Sequence, residues 1–107
     1  MNLQRIQEKV QEFAKKNKLD SPPEFRVLDL VSEIGEVSKE VLKMTNYGTK
    51  PLQKNNEVKS ELGDVLYSLI TLANKLDINL EEALDLVLEK YQKRLKKGSA
   101  GSEVEEK

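Results

Sequence analysis

The stretch that most constrains this chain is EVKSELGDVLYSLITLANKL, Glu57 to Leu76. Wound as a helix at about 100° per residue, it is apolar over most of its circumference. Val58, Leu62, Val65, Leu66, Leu69, Ile70, Leu72, Ala73 and Leu76 cover it, with Tyr67 at the flank. What remains is a narrow strip of Glu57, Glu61, Asp64, Ser68, Thr71 and Lys75. A helix apolar nearly all round is a buried one, so the strip is expected to face the protein interior. Two carboxylates on such a strip are costly unless a cation meets them. No basic residue stands three or four positions from Glu61 or Asp64, so ordinary helix pairing does not supply that cation.

Composition narrows what the cation can be. The chain has no His and no Cys, which excludes a thiolate nucleophile, a His general base and any zinc site of Cys/His type. A metal here takes oxygen ligands, which suits Mg²⁺, Mn²⁺ or Ca²⁺. At 107 residues, 37% hydrophobic, 35% charged and 5% aromatic, the chain reads as one soluble helical domain. So small a core is marginal alone, and a homo-oligomer, dimer or tetramer, is expected to cover the remaining apolar helix faces. A net charge of −1 and the lack of a basic patch interleaved with aromatics argue against nucleic acid. No apolar run is long enough to span a membrane, and MNLQRIQEKV has no signal-peptide core. A cytoplasmic protein is expected.

Taken in order, Leu3, Ile6, Val10, Phe13 and Ala14 form one apolar stripe, which predicts a helix over 2–17. Ser21-Pro22-Pro23-Glu24 reads as a capping box with proline in the first turn, opening a second helix that runs to Met44. Its Val27, Leu30, Ile34, Val37 and Val41 form an apolar arc, widened by Leu28, Val31 and Leu42, with Asp29, Glu33, Glu36 and Glu40 opposite. Thr45 to Gln53 is a loop punctuated by Asn46, Gly48 and Pro51. The third helix is the opening stretch, capped by Asn55 or Asn56. Asn79 with Glu82 makes a second capping box. The fourth helix is expected to turn Leu80, Ala83, Leu84, Val87, Leu88, Tyr91 and Leu95 inward and to end in a basic turn favoured by the helix dipole. The domain is placed at 1–97, with 98–107, GSAGSEVEEK, a disordered tail.

The second and third helices share an echo. Ser32-Glu33-Ile34-Gly35-Glu36-Val37 matches Ser60-Glu61-Leu62-Gly63-Asp64-Val65 residue type for residue type. Each copy sets two carboxylates three apart on one helix face and a glycine beside the second. Mid-helix glycine costs about 1 kcal/mol relative to alanine. Close approach of the two helices, or room for a ligand, would account for the pair. If the helices pack antiparallel with these segments level, four carboxylates converge. At neutral pH such a group repels itself unless protonated or bound to metal. Oxygen ligands in that number fit Mg²⁺, which also takes substrate phosphates.

Glu33-x-x-Glu36 followed by Glu61-x-x-Asp64, in the contexts SEIGEVSKEV and SELGDVLYSLITLANKL and with a last helix ending EKYQKR, resembles the all-α nucleoside triphosphate pyrophosphohydrolases of the MazG-like superfamily. That group includes dimeric dUTPases, dCTP pyrophosphatases and phosphoribosyl-ATP pyrophosphohydrolases. The resemblance covers about Leu3 to Arg94. Many such motifs open with two consecutive glutamates, where this chain has Ser32 before Glu33. The resemblance implies a four-helix all-α chain that hydrolyses a nucleoside triphosphate to the monophosphate and pyrophosphate with Mg²⁺, Mn²⁺ being a possible substitute. It implies Glu33, Glu36, Glu61 and Asp64 as metal ligands. Glu36 and Glu61 are the catalytic candidates, and one of the four carboxylates, Glu36 among them, would position the water. Lys90 and Arg94 become candidates for binding phosphate, with Lys50 and Lys54 weaker ones. Tyr47 and Tyr67 stand without a context that identifies a base. The rival reading is a non-catalytic helical module binding nucleotide or a partner protein through the same acidic cleft.

Overall fold

The computed structural model describes residues 2–98; the expected tail from 99 onward lies outside them. Four helices form, α1 (Leu3–Lys16), α2 (Pro23–Met44), α3 (Glu57–Lys75) and α4 (Leu80–Lys96), with no strand among the described residues. Two starts, at Asn2 and Asn79, follow from side-chain caps, and Asn55, just before the N-cap Asn56, whose own side chain makes no capping bond, supports a third. Asn2 Oδ1 accepts from Arg5 N at 2.8 Å, Asn55 Oδ1 from Val58 N at 3.1 Å and Asn79 Oδ1 from Glu82 N at 3.0 Å. The expected Ser21–Glu24 box is not formed. Pro22 is the N-cap, α2 begins at Pro23, and no side chain caps it. Two consecutive prolines explain this. They hold the preceding residues extended, and Pro23 removes one of the two N–H donors that a Ser21 cap would serve.

α2 and α3 run antiparallel along one seam. At one end Gln53 N donates to Met44 O at 2.8 Å and Asn55 Nδ2 to Glu40 Oε1 at 3.2 Å. At the other, Arg26 of α2 and Thr71 of α3 line one cavity. α1 crosses α3, with Phe13 edge-on to Tyr67 at 6.3 Å and 89°, so Tyr67 is a packing residue between these helices. A polar clamp fixes the crossing. The buried Gln7 donates through Nε2 to Asn74 Oδ1 (3.0 Å) and Ile78 O (2.9 Å) and accepts from Leu80 N (2.8 Å), while Asn74 Nδ2 donates to Gln7 O (3.0 Å). Gln7→Ala leaves three of these partners without a bond. The expected loss is about 2 to 3 kcal/mol of stability, read as a fall in urea midpoint at unchanged slope; a loss under about 0.5 kcal/mol would show the clamp to be ornamental.

The orientation of α2 reverses one expectation. Its seam toward α3 is Arg26, Leu30, Glu33, Val37, Glu40 and Met44, and its buried residues are Arg26, Glu40 and Met44. Most of the apolar arc expected to make the core faces outward instead: Val27, Leu28, Val31, Ile34, Val41 and Leu42 are exposed, while its Leu30 and Val37 enter the seam half-buried. The same holds for α3, which buries Val58, Ser68, Ile70, Thr71 and Ala73 but leaves Leu62, Leu66, Leu69 and Leu76 in the open. The polar strip does turn inward as expected, at Ser68 and Thr71. The fully apolar circumference is not covered by this chain. On α4 the inward positions Leu84, Leu88 and Leu95 are likewise exposed, and none of its residues is buried. The radius of gyration, 17.0 Å, exceeds the roughly 13 Å of a compact domain of this size. One chain therefore buries only a small core, with Met44, Val58, Ile70 and Ala73 beside Arg26 and Glu40, and leaves much of its apolar surface exposed.

Candidate active site

Antiparallel packing sets the two echoed segments level, and the carboxylates meet at mid-seam. Ligand oxygens of Glu33, Glu61 and Asp64 all lie within 4.8 Å of one another. Glu33 and Glu61 are half-buried and Asp64 is exposed, so the group opens to solvent on one side. Glu36, the fourth expected member, does not join this cluster. Its carboxylate pairs with Lys39 one turn on, at 3.7 Å. Yet its charge is felt there: partial desolvation, followed by the charges of Glu36, Asp64 and Glu33, pushes the Glu61 carboxyl above the ordinary glutamate range.

A carboxyl that binds its proton more tightly when folded favours the fold at acid pH. That contribution is complete below the ordinary glutamate value and disappears as pH rises through the elevated one. At neutral pH that contribution of Glu61 is absent. This donor set fits a hard divalent cation: oxygen only, anionic, mutually repelling and open on one side.

The matched glycines do not serve close helix approach. A Cβ at Gly35 or Gly63 would meet nothing within 4 Å, which leaves open space beside both carboxylate pairs. The expected phosphate-binding residues sit on another element. Lys90 and Arg94 flank the Tyr91 ring of α4, each 5.8 Å from its centroid, and α4 packs mainly on α1 rather than on the carboxylate helices. Lys50 and Lys54 are exposed in the connection between α2 and α3, and Tyr47 is exposed there too. The sequence reading missed Arg26. A basic residue in the opening turns of α2, seven positions before Glu33 on the same face, was the available signal.

Comparison with known proteins gives the helical chain with this carboxylate seam its family. Residues 22–99 match the family model of the MazG nucleotide pyrophosphohydrolase domain. The chain belongs to the MazG nucleotide pyrophosphohydrolase family. The protein YpjD of Bacillus subtilis strain 168 is 47% identical over 68 residues, which is 61% of this chain and 60% of YpjD, so the match spans less than two thirds of that relative. The crystal structure of YpjD, described as a putative pyrophosphatase, superposes with a TM-score of 0.72 at 36% identity, covering 85% of this chain and 95% of that one. The Bacillus-conserved MazG protein, a nucleotide pyrophosphohydrolase, gives 0.71 at 29% identity over 85% and 89%. Four helices and the all-α class agree with these neighbours. Among the described residues no helix is long and apolar enough to cross a membrane.

Proposed function

We propose that this chain is a Mg²⁺-dependent nucleoside triphosphate pyrophosphohydrolase, converting a (d)NTP and water to the (d)NMP and pyrophosphate. The observation that carries the reading is the convergence of Glu33, Glu61 and Asp64 within 4.8 Å on a seam that otherwise has no reason to gather negative charge. These three would hold Mg²⁺, or Mn²⁺ in its place. The bound ion would neutralise charge on the phosphates and lower the pKa of a coordinated water.

The chain's own groups do the rest. Glu36, outside the cluster and paired with Lys39, would orient the attacking water and accept its proton. Attack at the α-phosphorus breaks the bond to the bridging oxygen, and pyrophosphate leaves. Lys90 and Arg94 are the cations offered to the phosphates. They lie on α4, so a second copy of the chain is one way of bringing them to the cluster. The exposed apolar arcs of α2 and α3 support a homodimer or homotetramer as the working form.

Thermal denaturation with Mg²⁺, alone and with a non-hydrolysable triphosphate, tests the site. At about ten times the dissociation constant the metal should raise the melting temperature by roughly 5 to 10 °C at neutral pH. The analogue should add to this only when Mg²⁺ is present. Asp64→Asn should abolish the metal's effect. No shift in the wild type would remove the metal from the account.

A further inference from the structure

The α2–α3 seam does not end at the carboxylates. Two helical turns toward the start of α2, about 10 Å along the axis, it reaches Arg26. The same interval along α3 leads from Asp64 to Thr71. A cavity of about 270 Å³ lies at this end of the seam, and its lining includes Lys15, Asp20, Arg26, Thr71, Asn74 and Lys75.

Three helices each bring one cation to it: Lys15 from α1, Arg26 from α2 and Lys75 from α3. Asp20 is the one carboxylate of the lining, and it is shared. Lys75 Nζ donates to Asp20 Oδ1 at 2.7 Å. That bond, with the charges of Lys75 and Arg26 behind it, holds the Asp20 carboxyl below the ordinary aspartate range. Three positive side chains therefore meet one negative one. The neutral groups are occupied with the fold: Thr71 Oγ1 donates to Ser68 O at 2.9 Å, and Asn74 exchanges two bonds with Gln7. Lys15 and Lys75 stand in the last turns of their helices, where the dipole favours a cation. Arg26 does not. It lies in the opening turns of α2, only 8% exposed, with one guanidinium bond to the Leu19 carbonyl. Its fork has further donors, in a geometry that suits phosphate oxygens.

We infer that this cavity is an anion site for the terminal phosphates of the nucleoside triphosphate, with Arg26 as its fork and Lys15 and Lys75 as flanking charges. This assignment rests on the pyrophosphohydrolase reading above, which puts the divalent ion at Glu33, Glu61 and Asp64. Along the seam the charge changes sign, from carboxylates at its middle to an excess of cations at its end. A divalent ion bound to a phosphate chain has the complementary order, the ion on the carboxylates and the anionic oxygens toward the cations. The substrate then lies with its α-phosphorus beside the cluster and its β- and γ-phosphates toward Arg26. When water attacks the α-phosphorus, the bridging oxygen takes the electron pair of the broken bond and departs with pyrophosphate. The cations of the cavity stabilise the negative charge which that group gains. A nucleoside diphosphate reaches less far along the seam and forfeits much of this contact. All three cations come from the helices around the seam, independently of Lys90 and Arg94 on α4.

The test is kcat/KM with Mg²⁺ for GTP, UTP, CTP and ATP, each beside its diphosphate, on the wild type, Arg26→Gln, Arg26→Lys and Lys15→Gln. For the base it accepts best, the wild type should prefer the triphosphate over the diphosphate by about tenfold or more. Arg26→Gln keeps a donor for the Leu19 carbonyl but loses the charge, and should cut that ratio by about tenfold. Arg26→Lys keeps the charge without the fork and should lose less. Lys15 is exposed, so Lys15→Gln keeps the fold and should cut the ratio by about two- to fivefold; it decides the matter where an Arg26 variant does not fold. A wild type that turns over di- and triphosphates equally overturns the inference and leaves the pyrophosphohydrolase reading standing. So does a ratio left unchanged in every variant that folds, since these cations are then structural. A folded wild type that hydrolyses none of the nucleotides refutes the pyrophosphohydrolase reading, and the inference with it.

Discussion

Glu61→Gln should lower pyrophosphate release by about 100- to 1000-fold at saturating Mg²⁺ and nucleotide, and the metal-free variant should melt no lower than the wild type. Glutamine preserves the shape of the side chain and one acceptor oxygen. What it removes is the negative charge, which is the property both the metal and the neighbouring carboxylates respond to. Because partial desolvation, and then the charges of Glu36, Asp64 and Glu33, push the Glu61 carboxyl upward, the neutral residue relieves that cost in the metal-free cluster and withholds a ligand from the metal-bound one. Loss of activity and gain of stability in one variant is the signature of a functional charge, and a merely structural carboxylate would lose both together. Steady-state kinetics beside a melting curve at neutral pH reads both. At pH below the ordinary glutamate range the stability difference should vanish, since there the wild-type carboxyl is protonated as well.

Val31→Glu should dissociate the protein into single chains and lower its melting temperature by about 10 °C. Val31 is 63% exposed on α2, in the arc with Val27, Leu28 and Ile34, while Leu62 at 53% continues the apolar surface on α3. Surface of that extent on so small a chain calls for a partner, and a second copy is the partner always present. In a two-fold interface each substitution enters twice, setting a charge against apolar surface in both copies. Size-exclusion chromatography with light scattering at micromolar concentration is the direct reading. A wild type already monomeric, with Val31→Glu unchanged in size and melting temperature, would refute the oligomer.

The helices were legible because each carries a local signal. Asn2 and Asn79 cap the ends that their positions imply, and the stripe from Leu3 to Ala14 could suit only one period. The carboxylate cluster was legible for a different reason: Glu33 and the pair Glu61 and Asp64 belong to the two copies of a repeated segment, and antiparallel packing sets those copies side by side. The orientation of α2 was not legible. An apolar arc such as Val27, Val31 and Ile34 shows which face avoids water but not what covers it, and here its own chain does not. Burial of Arg26 and Glu40 instead of that arc follows from which faces α2 and α3 turn to each other, which no local pattern specifies. Gln7 escaped notice because it is a polar residue at a stripe position between Leu3 and Val10. Its role appears only once Asn74 and Leu80, far along the chain, are beside it.

The measurement that bears most directly on the central claim is product analysis by phosphorus NMR of the wild type with a nucleoside triphosphate and Mg²⁺. Equal amounts of nucleoside monophosphate and pyrophosphate, formed only when the divalent ion is present, are the expected result. Nucleoside diphosphate with orthophosphate, or turnover unaffected by chelation of the metal, would contradict it.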